Sequence, residues 1–271
     1  MVGIDTGITG GIDHDQGEWL RRVSRNSPKP KILLTGKPIY VDGDYHLEDI
    51  EGGGTVDEIV TAREHNYIAA IGGDIHNYQR YPVELEDGRT LLYLVSGGGG
   101  AFMHETHTIP NLDGAGIPGM TEAKFRCYPL RGDSLSRFSQ LYARKLIPRL
   151  LGARFIAPDV AAAIVGEPLG ITPTRLDGAD VDVDDAARRA ADALFRLPAR
   201  RRRGLHIPFS EWLDWNQPPM FKSFLRVDAT PESVRIRCLA ATGCGSQEDD
   251  PPAEDDLVAD RPTVGLGAGR R

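Results

Sequence analysis

The chain alternates between segments with the hydrophobic pattern of strands and segments with that of helices. Residues 31–35 and 67–73 are short apolar runs that end at or beside glycine, which is typical of buried strands. Between them, Thr55 and Glu58 form a capping-box pattern ahead of apolar residues at helical spacing, and Asp13 precedes a similar helical segment. This alternation of strands and helices predicts an α/β layered domain.

The later segments change in character. Residues 81–100 predict a β-hairpin with Asp87-Gly88 as its turn and four glycines after its second strand. Helical patterns follow, then a second hairpin with period-two alternation, then an acidic tail rich in Pro and Gly that we expect to be disordered. We therefore predict an α/β domain over 1–130, a helical insertion over 131–210, the closing hairpin of the same domain over 211–244, and a disordered tail over 245–271.

The composition of the chain argues against several classes of protein. The chain has 271 residues, of which 40% are hydrophobic and 26% charged, as in ordinary globular proteins. The net charge of -7 argues against a general nucleic-acid binder. No apolar run reaches the roughly 18 residues of a membrane span, and the first residues lack the basic and apolar regions of a signal peptide. We expect a cytoplasmic protein whose first residues read as the interior of a domain.

Three smaller features leave alternatives open. The three cysteines show no C-x-x-C spacing, and Cys238 and Cys244 are either core residues or a bridge across a turn. The basic run at residues 200–203 is interpreted as a solvated helix end or as a contact to an anionic surface. Trp212 and Trp215 are interpreted as packing between the helical insertion and the sheets, with stacking on a substrate as the alternative.

The segment "GGDIHN" carries the first candidate chemistry. Asp74 and His76 follow a predicted buried strand, and both are residue types that bind divalent metals, one through oxygen and one through nitrogen. Glycines just before them allow the backbone to turn sharply. The alternative interpretation is an Asp that caps a turn beside a hydrogen-bonded His. The position at the end of a strand favours the metal site.

Several segments in order resemble the calcineurin-like metallophosphoesterases, in particular the purple-acid-phosphatase-like branch. Gly73-Asp74-Ile75-His76-Asn77-Tyr78-Gln79-Arg80 resembles the G-H-x-H motif of that family with its following aromatic and basic residues. The segments "IDTGITGGIDHDQGEWLRR", "ILLTGKPIYV", "YLVSGGGGAFMHETH" and "PPMFKSFLRVDATPESVRIRCLAATG" resemble its neighbouring elements. The resemblance covers about residues 1–110 and 211–244. It implies the C-terminal part of a β-sandwich flanked by helices.

The chain departs from this family at three places. Asp74 stands where the family has its first His, and Lys37 stands where the family has a His before proline. The opening motifs D-x-H, G-D-x-x-D and G-N-H-[DE], which supply most metal ligands, are not found in the sequence. By the topology of the family, the first half of the sandwich is expected upstream of Met1.

The resemblance implies a two-metal centre and a set of site residues. Metal ligands would be Asp74 and His76, with His76 and Asn77 as catalytic residues and manganese, iron or zinc as the metals. The exchange of His for Asp favours manganese or iron over zinc. Contacts to the substrate would come from Lys37, Arg80, His104 and His107, although packing is the stronger interpretation for the last two.

Three functional hypotheses remain. The first is a metal-dependent phosphoesterase that hydrolyses a small-molecule phosphate ester with a metal-activated water, of which this chain holds at most one partial metal site. The second is a truncated or catalytically inactive domain with weak metal binding. A third, an unrelated α/β binding module, treats the ordered segment matches as chance and ranks last.

Overall fold

A computed structural model of the chain describes residues 1–8, 10–144, 149, 152–171, 181–196, 220–242 and 251–260. This part is a mixed α/β structure with a six-stranded sheet, a three-stranded sheet and a two-stranded ribbon. The strands are β1 (Val2–Gly3), β2 (Lys31–Thr35), β3 (Tyr40–Val41), β4 (Asp44–Tyr45), β5 (Tyr67–Gly72), β6 (Tyr78–Glu84), β7 (Thr90–Ser96), β8 (Arg126–Tyr128), β9 (Lys222–Ala229), β10 (Ser233–Ala241) and β11 (Ala253–Asp260). The α-helices are α1 (His14–Arg25), α2 (Val56–Thr61), α3 (Arg131–Ala143), α4 (Pro158–Leu169) and α5 (Asp185–Arg196).

The six-stranded sheet has the order β1-β2-β5-β7-β6-β8. Strands β1, β2, β5 and β7 are parallel to one another, and β6 is antiparallel to both of its neighbours. The strands predicted at 31–35 and 67–73 are confirmed as β2 and β5, the latter ending at Gly72, and so is the predicted hairpin, which β6 and β7 form. Because the first four strands are parallel, their carboxyl ends lie at one edge of the sheet, where ligands commonly bind in α/β proteins.

Helices α1 and α2 begin where the sequence predicts. The Asp13 carboxylate accepts the Gln16 N–H at 2.7 Å, and the capping box of Thr55 and Glu58 is complete in both directions. Each helix buries an apolar face against one side of the six-stranded sheet, with Leu20 of α1 fully buried. Capping and the buried face together explain why these two segments are helical.

The other side of the six-stranded sheet packs against the three-stranded sheet, whose order is β11-β10-β9. Alternate side chains of β10 point into the shared core. These are Val234, Ile236, Cys238 and Ala240, all at most 5% exposed. The alternation predicted for the late hairpin is therefore confirmed.

The predicted disorder of residues 245–271 is wrong for residues 253–260, which form β11 and pair with β10 in antiparallel register. Two features of the folded chain explain the difference. Leu257 and Ala259 pack against the core between the two sheets. The acidic residues Asp255 and Asp256 find arginine partners at positions 80 and 235. Composition alone does not reveal these partners, because they lie elsewhere in the chain.

Three helices lie within the predicted insertion and share a core of their own, with Leu135 and Phe138 at its centre. The start of α3 is joined to the sheet region by a buried ion pair between Arg131 and Glu122, each 7% exposed. The hydroxyl of Ser134 accepts the Thr106 N–H at 2.9 Å. These contacts connect the helical cluster to the loop that follows β7.

Some predictions lie outside the described residues and stay predictions. They concern residues 200–203, Trp212, Trp215 and Cys244. Cys127 and Cys238 are free and buried. In the part of the chain that the structure describes, no helix is both long enough and apolar enough to cross a membrane.

Candidate functional site

The candidate site lies at the edge where β2, β5 and β7 end. Residues 73–77 follow β5 as a tight loop in which the Ile75 N–H donates to the Gly73 carbonyl at 2.5 Å and the Asn77 N–H donates to the Ile75 carbonyl at 2.8 Å. The Gly73 N–H donates to the Gly36 carbonyl, at 3.1 Å, in the loop after β2. Backbone hydrogen bonds therefore join two of the strand-end loops.

Asp74 occupies the turn of this loop with a φ of 36°, in the left-handed region that non-glycine residues seldom adopt. Aspartate tolerates this region better than most residues. Its side chain is exposed, so the carboxylate is open to a ligand. A strained acidic residue at a strand end is a common feature of functional sites.

The third strand-end loop, which follows β7, packs directly on the loop 73–77. A Cβ atom on Gly97 would lie 2.3 Å from the Ile75 carbonyl oxygen and 3.1 Å from the Gly73 oxygen. Only glycine fits at this contact, because real Cβ atoms do not approach an oxygen so closely. The first of the four consecutive glycines therefore brings the chain after β7 onto the candidate site.

His76 lies between two aromatic side chains from that third loop. Its ring stacks on the His104 ring with centroids 4.6 Å apart and planes at 19°, and it meets Phe102 edge to face at 4.7 Å. The His104 N–H donates to the His76 carbonyl at 3.0 Å, and the His76 N–H donates to Nδ1 of His104 at 3.2 Å. Burial lowers the pKa of His104 to about 4, with the charge of His76 acting in the same direction.

Asn77 is fully buried and belongs to a polar network on the helix side of the sheet. Its Oδ1 accepts from Nε2 of Gln79 at 3.0 Å, and the same Nε2 donates to Asp42 at 2.7 Å. The Tyr81 hydroxyl donates to the side-chain oxygen Oε1 of Gln79 at 2.5 Å. Nδ2 of Asn77 and Nδ1 of His76 are both buried and have no hydrogen-bond partner among the described residues. Such atoms are uncommon in folded proteins and often mark a ligand site.

Lys37 lies in the loop after β2 but is held toward the first loop of the chain. Its ammonium donates to the Ile8 carbonyl, and its backbone N–H donates to Oγ1 of Thr6 at 3.0 Å. The residue therefore stands at the same sheet edge as Asp74 and His76. The ammonium of Lys37 is therefore bound to the Ile8 carbonyl oxygen and does not contact Asp74 or His76.

Arg80 and His107, which the resemblance implies as substrate contacts, are placed elsewhere. Arg80 lies inside β6, and its guanidinium binds the Asp255 carboxylate at 2.9 Å and the Lys124 carbonyl at 2.8 Å. His107 is 3% exposed, and its Nδ1 lies 2.9 Å from the hydroxyl of Ser134 in α3. Both side chains serve structural contacts, because they are packed against elements away from the loop 73–77.

The sequence did not reveal two acidic residues near the strand ends. Glu48 is 2% exposed, accepts from Oγ1 of Thr35 at 3.1 Å, and has a pKa that burial raises to about 7. Burial also raises the pKa of Glu105, next to His104, to about 7. One carboxylate oxygen of each has no hydrogen-bond partner among the described residues. No local pattern marks them, since their burial depends on loops that meet only in the fold.

An open cavity of about 370 Å³ borders the site on the side of the three-stranded sheet. The strand-end residues Thr35, Gly72, Gly73 and Ser96 form one part of its wall. Leu34, Ile71, Leu225 and Val227 form the other part, and Leu34 is 36% exposed there. The strand-end loops therefore border a space large enough for a small ligand.

The donor chemistry fits a metal ion only in part. A carboxylate at Asp74 and an imidazole at His76 are suited to manganese, iron or zinc. Within the described ranges, however, no group of three or more His, Cys, Asp or Glu side chains is arranged to hold a metal. The described residues thus offer two candidate ligands and not the two-metal centre that the resemblance implies.

Comparison with known proteins adds no assignment. Neither the protein-family models nor the curated protein sequences give a match to this chain.

Proposed function

We propose that this chain carries strand-end loops of a metal-dependent phosphoesterase and that Asp74 and His76 bind a divalent metal ion. The observation that supports this most is the arrangement at the end of β5. An exposed carboxylate in a left-handed turn and a half-buried imidazole lie two residues apart, where three strand-end loops meet. The ordered resemblance to calcineurin-like metallophosphoesterases gives the reaction class.

The proposed chemistry assigns a part to each residue at this edge. A divalent metal held by these residues would supply a water of lowered pKa as the nucleophile, and hydrolysis would break the ester P–O bond to give phosphate and a free alcohol. Asp74 and His76 would hold the metal, and the buried Asn77 beside them would present its unpaired Nδ2 while its Oδ1 accepts from Gln79. Lys37, once released from the Ile8 carbonyl, supplies positive charge for phosphate oxygens.

A second candidate function, a metal-binding domain without catalysis, is favoured by one observation. The described residues supply no third ligating side chain beside Asp74 and His76. A two-metal hydrolase usually needs several more ligands to fix both ions and the attacking water. We therefore expect the chain of 271 residues to show little or no phosphoesterase turnover by itself.

Calorimetric titration with Mn²⁺ and Zn²⁺ tests the metal site. We expect binding to the wild type that weakens about tenfold or more in Asp74→Asn and His76→Ala, since each variant removes one of two ligands. His14→Ala is the matched control, because His14 is an exposed histidine on α1 whose ring contacts the neighbouring Asp15. Equal binding by His76→Ala and the wild type would remove the proposed metal site.

Hydrolysis of p-nitrophenyl phosphate with Mn²⁺ separates the two candidates. Turnover no greater than that of the metal alone agrees with the non-catalytic domain. Turnover well above that background, lost in His76→Ala and kept in His14→Ala, would exclude the non-catalytic domain and establish the phosphoesterase in this chain.

A further inference from the structure

The hydrogen bond between the His76 backbone and the His104 ring fixes the protonation of His104. The His76 N–H donates to Nδ1 of His104 at 3.2 Å. A backbone N–H can only donate, so Nδ1 must carry a lone pair. An imidazolium has no acceptor nitrogen, and a neutral imidazole carries its single proton on the other nitrogen. His104 is therefore neutral, with the proton on Nε2.

The ring of His104 is held firmly in this state. It stacks on His76, contacts Phe102 with centroids 5.3 Å apart, and its own backbone N–H donates to the His76 carbonyl at 3.0 Å. Its Nε2 has no hydrogen-bond partner among the described residues. A fixed donor without a partner thus lies beside the proposed metal ligand His76.

We propose that His104 is a neutral hydrogen-bond donor whose Nε2–H binds an oxygen of the phosphate group held beside His76, and that His104 is not a metal ligand. The assignment of the tautomer stands alone, whereas the phosphate contact rests on the proposed function. A metal ion needs a lone pair, and the protonated Nε2 offers none. A preorganised neutral donor suits an anionic oxygen, because the N–H dipole is aligned before the ligand arrives.

Nuclear magnetic resonance of the chain labelled with ¹⁵N-histidine tests the tautomer directly. The chain has seven histidines, and the His104 signals are assigned by their loss in His104→Asn. We expect one tautomer for His104, with Nδ1 unprotonated and Nε2 protonated, and averaged tautomers for the exposed His14. A proton on Nδ1 of His104, or averaging like that of His14, would overturn the proposal.

The binding of inorganic phosphate to the Zn²⁺-loaded chain tests the role of Nε2–H. His104→Asn keeps an acceptor near the position of Nδ1 and removes the donor, so we expect phosphate affinity to fall about five- to tenfold, as for loss of one hydrogen bond. His104→Gln places an amide N–H near the position of Nε2 and should retain more of the affinity. Zn²⁺ affinity should not change in either variant.

The outcomes separate this proposal from the proposed function. If the side-chain ¹⁵N signals of His76 do not change when Zn²⁺ is added, the proposed function fails and the phosphate contact fails with it. The tautomer of His104 is still decided by the ¹⁵N signals of His104. If His76 responds and His104→Asn binds phosphate as the wild type does, only the phosphate contact is overturned. Loss of Zn²⁺ affinity in both His104 variants would show that His104 is a ligand after all.

Discussion

Two polar clusters in this molecule differ in how completely their polar groups are paired. The strand cluster, formed by Tyr78, Arg80, Asp255 and the Lys124 carbonyl, pairs its groups with one another at 2.7–3.1 Å. The loop cluster, formed by Asp74, His76, Asn77 and His104, contains two buried nitrogen atoms without partners among the described residues, at His76 and Asn77. It also exposes a carboxylate at Asp74.

This difference separates polar groups that stabilise the fold from polar groups that are available to a ligand. A buried polar group that is fully paired contributes to one defined arrangement of the chain, as Asp255 does by attaching β11 to β6. A buried polar group without a partner costs stability and persists where something else requires it. The loop cluster is therefore the better candidate for a ligand-binding site, although the strand cluster contains the ion pair of Arg80 and Asp255.

The largest expected effect is in the strand cluster. Asp255→Ala leaves the charge of Arg80, which is 13% exposed, without its carboxylate, so we expect a loss on the order of 3–5 kcal/mol in the free energy of unfolding, measured with urea. Asp256→Ala is the matched control, because its pair with Arg235 is 39–50% exposed and exposed ion pairs add little to stability, so its loss should be much smaller than that of Asp255→Ala. Equal losses would contradict a structural role specific to Asp255.

The pH dependence of stability should reflect Glu48 beneath the strand ends. Because burial raises its pKa to about 7 in the folded chain from the ordinary 4.5, the folded state binds the proton more tightly than the unfolded state does. The free energy of unfolding should therefore be higher near pH 4.5 and fall as the pH rises to 7, by up to about 3 kcal/mol from this group.

Glu48→Gln checks this assignment, since it removes the titrating carboxyl and keeps the acceptor for the hydroxyl of Thr35. The slope between pH 4.5 and 7 should become shallower but not vanish, because the pKa values of Asp57 and Glu105 are raised as well. An unchanged slope would show that Glu48 is not the responsible group.

A smaller effect is expected at the contact between two strand-end loops. Gly97→Ala places a methyl group 2.3 Å from the Ile75 oxygen, so the loop 73–77 must shift, at a cost of about 1–3 kcal/mol. The affinity for Zn²⁺ or Mn²⁺ should also fall, because Asp74 and His76 lie in the shifted loop. Gly100→Ala is the control, since its Cβ meets nothing within 4 Å. Full metal affinity in Gly97→Ala would mean that the loop contact does not position the site.

The smallest effect should come from Asn77, although it is fully buried. Asn77→Ala removes a donor without a described partner along with one acceptor, and Nε2 of Gln79 keeps its bond to Asp42. We expect a loss below about 1 kcal/mol in urea unfolding, which is small for a buried hydrogen-bonded residue. A loss as large as that of Asp255→Ala would remove the distinction between the two clusters.

The sequence predicted those parts of the fold that local pattern decides. The strand at Lys31–Thr35, the capping box of Thr55 and Glu58, and the β10 alternation all depend on neighbours within a few residues. The pairing of Arg80 with Asp255 spans 175 positions and is invisible to such patterns. For the same reason the composition of the acidic tail predicts disorder, and the family resemblance implies a substrate contact for Arg80.

The candidate site was predictable to a similar extent. Asp74 and His76 come just after a strand that ends in glycine, so the sequence alone indicates their position at a strand end. The stacking of His104 on His76 was not, because it depends on the close approach of Gly97 to the loop 73–77. The burial of Glu48 and Glu105 likewise arises only when separate loops meet in the fold.

A Zn²⁺ titration followed by the side-chain ¹⁵N signals of the histidines tests directly whether Asp74 and His76 bind a metal ion. If Asp74 and His76 form the metal site, the His76 signals change on binding, those of His107 and His14 do not, and the response is lost in Asp74→Asn. If no histidine responds, or if another histidine responds while His76 does not, the loop cluster is not a metal site.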